Sequence, residues 1–283
     1  VAPDRVSFAL FAAVWRAVLG NASFSVHLTG RTGAGKSVLA ALAQQHYGPK
    51  MDGDHLPGNW SSSVNANEAL AFEAKDALFV IDDFNPIGNA GDVARWHKDA
   101  DRIFRGQGNQ AGRARMRADT SIRAPKWPRG VILSTGEDTP NGQSLKARLL
   151  IAEIAKGELD FKKVTACQAD AASGLYAMAL SGFIRWLAPR IGNAEKAMQK
   201  AIVEYRTSAA KIGDQSHMRT PDNVANLMQG FHFWLSFATS IKAITTAQRG
   251  ALWLRACHAF DDLIRVQTTN QTTADPAQQF GLA

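Results

Sequence analysis

A chain of 283 residues, 46% hydrophobic and 20% charged, suits one α/β domain with an appendage and has the balance of a folded globular protein. No apolar run approaches the ~18 residues needed to cross a bilayer, and the two cysteines, Cys167 and Cys257, lie too far apart to suggest a metal-ligand spacing or a disulfide framework. The net charge of +7 favours polyanionic partners over acidic-surface roles.

Taken in chain order, Val6, Phe8, Ala9, Ala12, Ala13 and Leu19 predict an amphipathic helix over 5–19. Arg5 and Arg16 interrupt its apolar stretch and no basic region precedes it, so it does not read as a secretory signal. Val1 in place of Met points to a piece of a longer polypeptide, and the two thiols in apolar helical context point to a reducing, cytoplasmic compartment. A short β-type run, FSVHL over 24–28, feeds a glycine-rich turn, and an Ala/Leu-rich helix is expected over 37–46. A short strand near 56–60, a helix over 67–75, an apolar strand LFVI over 78–81 and a helix over 90–104 follow. Residues 105–129 form a long basic segment without periodicity. Then come a core strand VIL over 131–133, a short helix or turn over 143–149 and a strand over 150–154. Beyond 160 strand signals cease, and helices are expected over 169–189, 193–211, 219–243 and 246–267. The fold class is therefore α/β: a parallel sheet flanked by helices over 1–160, an α-helical bundle or lid over 161–267, and a polar tail or linker over 268–283.

The run Gly30-Arg31-Thr32-Gly33-Ala34-Gly35-Lys36-Ser37 fits GxxxxGK[ST] in full, in the strand–turn–helix setting a phosphate loop requires. Glycines let the backbone turn tightly and aim successive amides inward, at a helix start that attracts anions. Gly30, Thr32, Gly33, Ala34, Gly35, Lys36, Ser37 and Val38 are the candidate contacts to ATP. Lys36 would reach the β- and γ-phosphates, and the Ser37 hydroxyl would ligate Mg²⁺.

The LFVI strand ends in Asp82-Asp83. Ligands of parallel sheets bind at the carboxyl ends of strands, so Asp82 is assigned to magnesium and Asp83 to orienting and deprotonating the attacking water. Asp-Asp-Phe-Asn-Pro also reads as turn chemistry. The strand over 131–133 ends in Ser134-Thr135. Thr135 is the first choice for holding the water or sensing the γ-phosphate, and Ser134 the second. Glu137 and Asp138 read as exposed turn charges more readily than as acids behind the site.

Between 105 and 129 seven cations stand against one acid, Asp119. Arg113, Arg115 and Arg117 alternate and would share one side of an extended hairpin arm; with Arg123 and Lys126 they make an electrostatic footprint for a nucleic-acid backbone. Trp127 is read as packing on the domain rather than stacking on a base. Arg148, a dozen residues past Thr135, suits an arginine finger that reaches the γ-phosphate of a neighbouring subunit.

The stretches GRTGAGKS, ALFVIDDFNP, FRGQGNQAGRARMRADTSIRAPKWPRG and VILSTGEDTPNGQSLKARLL resemble AAA+ ATPases. They are most similar to the superfamily 3-like helicase modules of plasmid, phage and integrative-element replication proteins. The resemblance covers about half the chain, residues 26–150, and its narrow part is the run from Arg105 to Arg148. It implies a homo-oligomeric, hexameric ring with ATP between subunits, moving along single-stranded nucleic acid, expected to be DNA, with no membrane partner. It also implies that Lys36 and Ser37, Asp82 and Asp83, Thr135, and Arg148 occupy the family's functional positions. The second acid is Asp rather than the family's Glu. Arg219 is a candidate second sensor, although Thr220-Pro221 also reads as a helix cap followed by its first residue. A protein-remodelling AAA+ switch and a small-molecule P-loop kinase are the alternative functions.

Overall fold

A computed structural model of the chain describes residues 1–211 and 219–272, and all that follows concerns those residues. Helix α1 (Asp4–Ala17) precedes β1 (Ser25–Thr29) and α2 (Lys36–Gln44). Then follow β2 (Gly58–Asn59), α3 (Val64–Glu73), β3 (Leu78–Phe84) and α4 (Ala90–Asn109). A hairpin of β4 (Arg115–Met116) and β5 (Ile122–Arg123) leads to β6 (Val131–Gly136), α5 (Gln143–Lys146) and β7 (Leu149–Glu153). The remainder is helical: α6 (Phe161–Ala172), α7 (Leu175–Leu187), a 3-10 turn over Ala188–Arg190, α8 (Ile191–Lys211), α9 (Thr220–Ser240) and α10 (Thr246–Thr272).

The five core strands form one parallel sheet in the order β2-β3-β6-β1-β7. Because both faces are covered, the strands are mostly apolar, and alternate residues serve two cores. Val26, Leu28, Val80, Leu133 and Leu150 face the larger core with α1, α2 and the C-terminal helices. Phe79, Ile81, Ile132, Leu149 and Ile151 face a smaller core closed by Trp60, Ile103 and Phe104. Helix α1 does not stay with the sheet alone. It packs on α9, where a Cβ at Gly230 would stand 2.6 Å from the Ala12 carbonyl, and its buried Arg16 bonds Asn226 at 2.9 Å.

Both edges of the sheet are finished by glutamine side chains. Gln44 of α2 accepts from the Val80 amide at 3.1 Å and donates to the Leu78 carbonyl at 3.3 Å, on the edge that the two-residue β2 leaves uncovered. Gln267 of α10 accepts from the Ile151 amide and donates to the Leu149 carbonyl, each at 2.9 Å. Each amide group does what one residue of an added strand would do and hides an edge that would otherwise pair with another chain.

Several expected boundaries move. Helix α4 runs five residues past 104 despite Gly106 and Gly108 inside it, and it ends where Gln110 turns left-handed at φ 50°. The helix expected over 169–189 is two helices: Gly174, at φ 88°, breaks the run, and α6 begins at Phe161, well before the expected start. Thr220 is not a cap; α9 begins on it, with Arg219 at the capping position. Residues 268–272 of the expected tail continue α10, while 273–283 lie outside the described residues. Cys167 and Cys257 are half-buried free thiols.

Candidate functional site

The phosphate loop leaves β1 at the carboxyl edge of the sheet and opens α2. Gly30 can have no side chain, since a Cβ there would stand 2.2 Å from the Ile154 carbonyl. Gly35 sits in the left-handed region at φ 84°, under Leu159, and caps α2 without a side chain. The Leu39 amide is the first to close a helical turn, onto Gly35 at 3.1 Å. The amides of Lys36, Ser37 and Val38, in the first turn of α2, therefore have no partner within the helix. Ala34 is buried, and its amide turns back to the Arg31 carbonyl at 3.1 Å. The Lys36 ammonium lies across the loop and donates to the carbonyls of Gly30 at 2.7 Å and Arg31 at 3.1 Å.

The two acids stand two strands away on the same edge, with β6 between β3 and β1. Ladder spacing puts those strand axes ~9–10 Å apart, a span that phosphate oxygens and a hydrated cation fill. The ladder of β3 on β6 slips here: Ile81 pairs with Ser134 and Phe84 with Gly136, so Asp82 and Asp83 together oppose Thr135. This is a β-bulge. Asp83 takes the left-handed conformation at φ 67°, which Asp tolerates better than most residues. Thr135 pins the bulge with one oxygen, accepting from the Asp83 amide at 3.1 Å and donating to the Asp82 carboxylate at 2.5 Å.

Strand alternation separates the two hydroxyls. Thr135 shares its side of β6 with Leu133 and meets the acids, whereas Ser134 is consumed elsewhere. The Ser134 oxygen accepts from the Trp60 indole at 2.9 Å and lies 3.0 Å from His27 Nδ1. His27 Nε2 lies 2.9 Å from the Asp138 carbonyl, which only accepts, so Nε2 carries the proton and Ser134 donates to Nδ1. Burial pushes the His27 imidazole down to about 4 and keeps it neutral. This Trp60–Ser134–His27–Asp138 chain is a structural spine beneath the site. Its one legible trace in the sequence is a histidine in the middle of an apolar strand.

Glu137 is exposed just past the end of β6, as expected of a turn charge, and its carboxylate also accepts from the Thr32 hydroxyl of the phosphate loop. Its amide donates to the Phe84 carbonyl at 3.1 Å and its carbonyl accepts from the Thr29 hydroxyl at 3.1 Å. No local pattern announces this contact, because it depends on β6 lying beside β1.

Among the described residues no three His, Cys, Asp or Glu side chains gather as a metal cage. The oxygen donors at hand, the Asp82 carboxylate and the Ser37 hydroxyl, suit Mg²⁺, which takes few protein ligands and completes its shell with phosphate and water.

Arg148 belongs to the other edge. It precedes β7, and its carbonyl accepts from the Ser25 amide at the start of β1 at 3.1 Å. Five residues of β1 separate it from the phosphate loop, roughly 16 Å at strand rise. Its guanidinium donates to the Ser144 carbonyl at 2.5 Å, the Ser144 hydroxyl at 2.8 Å and Asn109 at 3.0 Å. Desolvation first, then Arg219 and Arg105, hold it below the ordinary arginine range, with Asp101 opposing. Arg219 thus stands with Arg148, not with the loop of its own chain.

The basic segment divides in two. Arg105 is on α4 and pairs with Asp101 at 2.7 Å. The hairpin pairs Arg115 with Arg123 and Met116 with Ile122, and closes through the Arg117 amide on the Ser121 carbonyl at 2.8 Å. Arg113 and Arg117 are exposed; the side chains of Arg115 and Arg123 lie outside the described residues. Lys126 is engaged, bonding Glu73 at 3.1 Å over the Phe72 ring, and Trp127 packs edge-on to Phe72.

Residues 5–126 match the model of a domain of unknown function, DUF927. No curated protein matches. Among solved structures, the SCCmec type IV Cch active helicase superposes with a TM-score of 0.66 at 15% identity, over 97% of this chain and 50% of that one. The fold is helicase-like. The chain thus spans about half the length of that helicase. A JCV helicase aligns over 80% of this chain and 65% of its own at 13% identity, but its TM-score of 0.33 is too low to support an argument.

Proposed function

We propose that this chain is an ATP-hydrolysing nucleic-acid motor, the helicase-type module of a mobile-element replication protein. The observation that carries the reading is that a full GxxxxGK[ST] loop and the acids Asp82 and Asp83, which Thr135 bonds together, lie at the same sheet edge. The amides at the start of α2 and Lys36 would hold the triphosphate. Ser37 and Asp82 would hold Mg²⁺, which supplies charge neutralisation on the β- and γ-phosphate oxygens. Asp83 and Thr135 would orient the attacking water. Arg148 of a neighbouring copy would meet the γ-phosphate, because within one copy it stands at the opposite sheet edge. The hairpin, with Arg113 and Arg117 exposed, would track a single strand, expected to be DNA, in a hexameric ring.

The test is ATP hydrolysis with and without single-stranded DNA. Hydrolysis stimulated several-fold by the strand is expected, and Lys36→Ala should remove tight ATP binding and lower turnover by ~10³-fold or more, the scale on which phosphate clamps act. Turnover indifferent to nucleic acid would discard the motor. Normal activity of Lys36→Ala would discard the site.

A further inference from the structure

We infer that Glu137 is the proton acceptor of the hydrolytic step, a role distinct from the orienting role of Asp83. The inference rests on the ATPase reading above.

Asp82, Asp83 and Glu137 stand at the carboxyl edge near the loop, and their surroundings differ. Asp82 receives the Thr135 hydroxyl at 2.5 Å, and Asp83 gives its amide to the same oxygen, so both belong to the bulge. Glu137 is the one whose carboxylate touches the phosphate loop, at Thr32. It is held there by backbone on both sides. Its amide is bonded to Phe84, at the end of the acid strand, and its carbonyl to Thr29, at the end of the loop strand. One residue on, the Asp138 carbonyl is fastened to buried His27. The residue before it, Gly136, is squeezed between strands, where a Cβ would lie 2.5 Å from the Phe84 carbonyl. Glu137 is therefore the first side chain after β6 that can act over the loop, and its backbone is fixed on both sides.

A carboxylate in that place faces the charge of a bound triphosphate. Repulsion is relieved when a proton donor lies between the two, and the attacking water is such a donor. In the step, the water oxygen bonds to the γ-phosphorus while one of its protons passes to a Glu137 oxygen. The bond from the γ-phosphorus to the β–γ bridging oxygen breaks, and its electron pair leaves with ADP. Glu137 also carries one methylene more than Asp83, which answers the shortness of Asp at the second position of the acid pair.

Glu137→Gln is a clean probe. Both backbone bonds remain, and the amide oxygen still accepts from Thr32, but the group no longer takes a proton. A fluorescent ATP analogue should bind the variant as tightly as wild type or several-fold tighter, while single-turnover hydrolysis falls by ~10²-fold or more. Hydrolysis within ~3-fold of wild type, or loss of nucleotide affinity in step with hydrolysis, overturns the inference. Lys36→Ala, assayed beside it, separates the two levels. If Lys36→Ala is inactive and Glu137→Gln is normal, only the role of Glu137 fails. If wild type does not hydrolyse ATP, or Lys36→Ala still does, the ATPase reading and this role fail together.

Discussion

The two edges of the sheet differ in charge and in how their charges are held. At the carboxyl edge Asp82 and Asp83 are bonded to Thr135 of the neighbouring strand, and Glu137 touches the loop at Thr32. At the amino edge Arg148 stands with Arg219 and Arg105 close enough to push its guanidinium down, desolvated and held mainly by a serine and an asparagine. The acidic edge is bonded across strands, whereas Arg148 at the basic edge is bonded to uncharged groups, Ser144 and Asn109. A strand length separates them within one molecule.

The strongest break of this comparison is Arg148→Ala. ATP affinity should stay within ~2-fold and hydrolysis should fall by ~10³-fold. Mixing it with Lys36→Ala should recover part of the activity, since the intact arginine of one copy then serves the intact loop of another; no recovery would confine Arg148 to its own chain. Thr135→Val keeps the shape and removes the hydroxyl that the two acids share. Hydrolysis should fall by ~10²-fold, with a loss of ~1–2 kcal/mol in a urea titration for the unpaired groups left behind. A wild-type rate would make the bulge a passive feature. Arg113→Ala with Arg117→Ala should weaken single-strand binding by ~10-fold and reduce the salt slope by ~1.4, the value for two phosphate contacts, without altering nucleotide affinity. The smallest effect concerns the spine. His27 is held near 4 by burial, below the ~6.5 of an exposed histidine. The unfolded chain therefore binds more protons between those values, and the stability contributed is present above pH ~6.5 and lost as pH falls towards 4. Unfolding free energy should drop by about 1 kcal/mol per such histidine between pH 7 and 5.5, and His27→Gln should remove that share of the slope.

The parts of this molecule that were legible in the sequence are those where one short segment does the physical work. The phosphate loop announces itself because glycine spacing, a lysine and a hydroxyl must be consecutive. Strands β1, β3, β6 and β7 announce themselves because a sheet covered on both faces needs unbroken apolar runs. Arrangements that join distant segments were not legible. The doubled acid reads as a turn or as a pair with separate roles until the register of β3 on β6 turns it into a bulge. Gln44 and Gln267 look like ordinary helix residues until each is found closing a sheet edge. Lys126 counts among the free cations by composition, yet Glu73 and Phe72 engage it.

By itself the sequence determined that a GxxxxGK[ST] loop joins a strand to a helix, that a parallel sheet carries it, and that a helical half follows. Each is a matter of residue types over a few positions, where local backbone preference and burial period decide. Only the tertiary structure decided which hydroxyl meets the acids, which acid meets the loop, and which edge holds the arginine. The physical reason is that β6 lies between β1 and β3, and neighbours across a sheet are set by packing rather than by order along the chain.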